Sequence, residues 1–144
     1  MTYDRIDWHS SGDNFPRSLE FKNGGTHIGM FITWTIQNNL IGELHLQDSK
    51  ESLEKVKNRK ITGRDFLIKE CDSKFWDEDL NEEGNKFAKY YYANQEYGDY
   101  ILDYEKAFNN YNNLYQVDDT WSNYDKIKPI IDKRYKEWKA TFSK

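Results

Sequence analysis

The stretch Gly24 to Leu40, GGTHIGMFITWTIQNNL, contains no Asp, Glu, Lys or Arg in a chain where 32% of residues are charged. Whatever the chain folds into must bury this segment. Two periodicities compete within it. Ile28, Met30, Ile32, Trp34 and Ile36 alternate with Gly29, Phe31, Thr33, Thr35 and Gln37, the period-two pattern of a half-buried strand, although Phe31 breaks the polar side. Read as a helix, the same residues leave one narrow polar strip, Gly29, Thr33 and Gln37 at i, i+4 and i+8, with apolar side chains over most of the remaining surface. The ends favour the helix: Thr26 is a candidate cap after Gly24-Gly25, and Asn38-Asn39-Leu40 suits a left-handed C-terminal cap followed by an apolar contact. The expected fold is therefore mainly α, a compact helical domain around a central buried helix, with α+β as the alternative.

A length of 144 residues corresponds to one domain, residues 1–144, with enough core to need no disulfide, metal or cofactor for stability. Hydrophobic residues make up 37% and aromatic residues 17% of the chain, including eleven tyrosines and five tryptophans, and the mean hydropathy is -1.04. Such a core is built from rings, whose polar edges also suit a binding face. The net charge of -4 and pI near 5.4 argue against nucleic acid and anionic membrane as partners and favour a basic protein. No apolar run is long enough to span a bilayer, and no basic segment precedes a hydrophobic one at the N-terminus, which predicts a cytoplasmic protein. Cys71, the single cysteine, reads as a small buried residue.

Residues 1–23 show no sustained period and read as an ordered loop anchored by aromatics, with Asp4, Asp7, His9 and Asp13 as turn and capping groups. Ser49 is placed to cap a surface helix from about Lys50 to Lys60. Thr62, with Asp65 three residues on, forms a capping box for the next one. Asn81 with Glu82 and Glu83 opens a helix whose acids lie at the favourable end of its dipole. Pro129 fits the first turn of a last helix, Ile130 to Phe142, where Ile131, Tyr135, Trp138 and Phe142 fall on one face.

No HExxH, CxxC, phosphate-binding glycine loop or GxSxG is present, so nothing announces an enzyme. His9 and His27 with Asp4 or Asp13 could hold zinc or iron, since imidazole and carboxylate suit those ions. His27 reads otherwise as a packing residue and His45 as exposed. Asp77, Glu78 and Asp79, near Trp76 and followed by Tyr90 and Tyr97, suggest an acidic and aromatic face for a basic partner.

The segments YDRIDWH, GTHIGMF with Trp34, ITGRDF, DLNEEG with Phe87-Ala88, and VDDTWSNYDKIKPIIDKRYKEW resemble a family of small bacterial proteins of uncharacterised function. The similarity spans nearly the whole chain. It implies an immunity protein, because proteins resembling it are often encoded near polymorphic or secretion-system toxins, and it supplies no catalytic residues. The expected function is thus binding and neutralising a cytoplasm-acting toxin through Trp76, Asp77, Glu78, Asp79, Tyr90 and Tyr97. The alternative is a small enzyme or metal-dependent binding domain around Asp4, His9 and His27.

Overall fold

The computed structural model describes residues 1–93 and 98–142. The central segment is a helix, α2, Thr26–Gln37, with every residue from Thr26 to Ile36 buried. Other elements pack around it: β1 (Thr2–Arg5), α1 (Ile6–Ser10), α3 (Glu43–Asp48), α4 (Lys50–Lys57), α5 (Gly63–Glu70), β2 (Lys74–Trp76), α6 (Glu82–Tyr91), α7 (Tyr100–Ala107) and α8 (Trp121–Phe142). β1 and β2 pair antiparallel and form the one two-stranded sheet among the described residues. The fold is mainly α, as the buried stripe of α2 requires.

α2 ends as its sequence predicts. Asn39 adopts φ 58°, the Leu40 amide returns to the Thr35 carbonyl at 2.9 Å, and Leu40 is buried. Its start differs, because Gly25 is the N-cap and supplies no side chain. The Thr26 hydroxyl accepts instead from Arg64 Nη1 at 3.0 Å, tying α2 to α5. These two helices approach at glycines. A Cβ on Gly29 would lie 2.6 Å from Arg64 Cα, and one on Gly63 would overlap the Gly29 carbonyl and the Thr33 hydroxyl. The narrow polar strip of α2 is thus a slot for the α5 backbone.

The aromatic residues fill the opposite side. Phe31 contacts Phe75, Phe87, Tyr92 and Tyr100 at ring separations of 5.0–6.2 Å. Trp34 packs edge-on against Tyr135 at 5.1 Å and donates from Nε1 to Asp132 at 2.8 Å, joining α2 to α8.

Two expectations for the helices are corrected. Ser49 precedes α4 but makes no cap hydrogen bond; its hydroxyl pairs with His45. Pro129 lies inside α8 rather than in its first turn, because that helix begins at Trp121. The Asn123 amide donates to the Thr120 hydroxyl at 3.1 Å. Tyr124 and Ile127 before the proline and Ile131 and Trp138 after it are all buried, and this burial offsets the cost of about 3 kcal/mol for an interior proline. The Thr62–Asp65 capping box on α5 forms as expected, and Asn81 caps α6.

Candidate functional site

Asp4, His9 and His27 converge although the first 23 residues show no periodicity. The register of β1 against β2 slips between Thr2 and Asp4, and consecutive residues Tyr3 and Asp4 are both buried. Irregular pairing of this kind re-aims a side chain. α1 follows at once and folds back onto the turn Phe21–Gly25 that leads into α2. That approach needs small residues: a Cβ on Gly24 would stand 3.0 Å from the Ile6 carbonyl and 3.2 Å from His9 Cβ. The expected loop is therefore a strand and a short helix, docked where the central helix begins.

The carboxylate of Asp4 is the hub. Oδ1 accepts from the Arg5 amide at 2.8 Å and meets His9 Nε2 at 2.7 Å. Oδ2 accepts from the Tyr92 hydroxyl at 2.6 Å and meets His27 Nε2 at 3.2 Å. His9 Nδ1 meets the Tyr115 hydroxyl at 2.7 Å, and the two imidazoles stand edge to face, 4.5 Å between centroids. Tyr115 is held in place by an Asn113 cap on its amide and by Asn23 Nδ2 on its carbonyl. Tyr92 and Tyr115 carry no sequence signal that links them to Asp4, because that link exists only after folding.

Burial would raise the Asp4 carboxyl, but hydrogen bonds from His27 and His9 hold it well below the usual carboxylate range. His27 is fully buried, and desolvation, against the opposing pull of Asp4, lowers its pKa. We therefore take His27 as neutral, donating Nε2–H, with Asp4 as the charge of the site. His27 Nδ1 is buried without a hydrogen-bond partner among the described residues.

A second polar cluster lies between α3, α5 and the turn after β2. His45 Nδ1 pairs with the Ser49 hydroxyl at 3.0 Å and Nε2 with Asp79 Oδ1 at 2.7 Å, while Cys71 Sγ lies 3.7 Å from Nε2. The expectation of an exposed His45 is corrected: it is 2% exposed. α3 turns its histidine inward and leaves Leu44 and Leu46 44% and 46% exposed. Burial, then the nearby Asp79 charge, pushes the Cys71 thiol far up, so it is no nucleophile.

The residues expected to bind a partner divide. Trp76 is 38% exposed, Glu78 is exposed, and Asp77 is half-buried with one oxygen 3.2 Å from the N-terminal amine. Asp79 is corrected: it is buried, accepting from His45 and from the Trp76 amide at 2.9 Å. Its carboxylate is consumed by the fold. Tyr90 packs on Phe142 at 5.2 Å, and Tyr97 lies outside the described residues. Beside Trp76 and Glu78, the Gly42 amide donates to the Asp79 carbonyl at 2.9 Å. α3 starts from that contact. It borders a cavity of about 470 Å³ lined by Ile36, Ile41, Leu46 and Leu53, with Glu43 and Lys57 among its polar residues.

No helix among the described residues is long and apolar enough to cross a membrane. No curated protein and no solved structure matches the chain. The model of a domain of unknown function, DUF7832, matches residues 2–117. The chain therefore belongs to the DUF7832 family.

Proposed function

We propose that the chain is an immunity protein, which binds a basic, cytoplasm-acting bacterial toxin and neutralises it by covering its working surface. The observation that supports this most is α3, whose Leu44 and Leu46 are part-exposed and whose Leu46 lines a groove with Ile36, Ile41 and Leu53, while Trp76 and Glu78 are exposed in the segment whose Asp79 carbonyl holds the start of that helix. Exposed aromatic and aliphatic side chains bordered by carboxylates suit a partner with an apolar anchor and a basic rim. A six-residue helix that buries its histidine and exposes its leucines gains little stability from those leucines. Contact with another protein would give them that burial. The resemblance noted from the sequence points to the same class of partner.

The test is co-expression with the toxin encoded beside the gene. Wild-type protein should form a one-to-one complex and restore growth. Trp76→Ala with Glu78→Lys should weaken the complex at least tenfold, with the Glu78 contribution fading at high salt. Absence of both complex and protection for every toxin of the locus would refute the proposal.

A further inference from the structure

We propose that Asp4, His9 and His27 form a site for one divalent transition-metal ion, zinc or ferrous iron by ligand type, independently of any toxin binding. The three side chains come from β1, α1 and the first turn of α2, and each offers a ligand atom within 4.8 Å of the others. One carboxylate with two imidazoles is a donor set for these ions, and three protein ligands leave a fourth position open.

Two further features favour a cation. Asp4 is a nearly buried carboxylate, and among the described residues its ion-pair partners are the two histidines, with no lysine or arginine. Hydrogen bonds from the Arg5 amide, Tyr92 and the two rings satisfy this carboxylate, but no permanent cation among the described residues stands beside it, and a bound divalent ion would supply one. His27 is the second feature. Buried among His9, Tyr104 and Tyr115, its ring makes one hydrogen bond, at 3.2 Å to Asp4, and among the described residues Nδ1 has no hydrogen-bond partner. That one bond is a poor return for burying the ring. A metal–nitrogen bond at Nε2 is a stronger reason for its position.

Binding requires a change of tautomer that conserves protons. The proton on each Nε2 moves to Nδ1, and both Nε2 lone pairs turn to the ion. At His9 the Tyr115 oxygen accepts a hydrogen bond from the new Nδ1–H, its own hydroxyl proton turning away, while Tyr92 continues to donate to Asp4. These are the outer partners that orient metal ligands. Tetrahedral ligands stand about 3.4 Å apart, so the 2.7 Å His9–Asp4 contact opens by roughly 0.7 Å. The relocated proton on His27 gains no partner in the present arrangement, and an incomplete outer shell lowers affinity by about ten- to a hundredfold. Binding weaker than at a fully supported site is therefore expected.

The experiment is a zinc titration of chelator-stripped protein by calorimetry, repeated with cobalt(II) for its visible spectrum. Wild type should take up one ion per chain. His9→Gln, at the half-buried ligand, should keep the fold by circular dichroism and lose at least tenfold in affinity, and Tyr115→Phe should lose about tenfold with unchanged stoichiometry. Three results would each overturn the assignment. One is a wild-type protein that binds no zinc. Another is equal affinity in His9→Gln. The third is a cobalt spectrum with a thiolate charge-transfer band abolished by Cys71→Ser, which would place the ion at His45, Cys71 and Asp79.

Discussion

Asp77, Glu78 and Asp79 are consecutive carboxylates with different surroundings. Asp77 faces the N-terminal amine, Glu78 faces water, and Asp79 faces inward to His45 and the Trp76 amide. Sequence could group them as an acidic run but could not separate them, because direction depends on the 3-10 turn they form. Replacing Asp79 with Ala strands two buried donors, and chemical denaturation should show a loss of about 2–3 kcal/mol. Glu78→Ala should stay within about 0.5 kcal/mol of wild type in the same assay. Equal effects would mean that Asp79 is not the pin between α3 and β2.

At the scale of elements, the contact between α2 and α5 depends on two glycines that are far apart in sequence. Helix periodicity marks Gly29 as part of a polar strip, yet only the crossing shows that the strip receives the backbone of Arg64. Gly29→Ala forces backbone atoms apart and is expected to cost about 3 kcal/mol, read as a lower thermal midpoint. The capping box on α5 was legible because its residues are local: Thr62→Ala should cost about 1 kcal/mol. Pro129 was misplaced for the converse reason. Local rules put proline at a helix start, whereas the buried residues on both sides of it hold α8 together. Pro129→Ala restores a backbone donor and should stabilise the protein by about 1 kcal/mol or more; a destabilised variant would show that the core is fitted to the proline.

For the whole molecule, the core is a continuous set of rings, and its phenols are the groups that folding perturbs most widely. Burial raises the hydroxyl pKa values of Tyr91, Tyr92, Tyr100, Tyr104 and Tyr124, and it pushes Tyr3 up to about 12. A group whose folded pKa exceeds its unfolded value lends stability below the unfolded value, and that stability disappears as pH rises through the folded one. Unfolded tyrosines titrate near 10. Stability should therefore be level through neutral pH and fall from about pH 10 to 12. Tyrosinate absorbance should rise together with loss of circular dichroism. Smooth ionisation of the phenols without unfolding would contradict a core in which these rings are sealed.

The sequence by itself favoured a central helix over a strand and determined its buried character, its left-handed end and the caps of α5 and α6. Each follows from residues within a few positions of one another. It named Asp4, His9 and His27 as a possible set but did not assemble them, since Tyr92 and Tyr115 lie 88 and 106 residues from their partners. Tertiary structure decided that His45 and Asp79 are interior, that Leu44 and Leu46 are exterior, and that one carboxylate collects two imidazoles. Short elements such as β1, α1 and α3 have too few residues to impose their own amphipathic pattern. Their orientation is fixed by what they dock against.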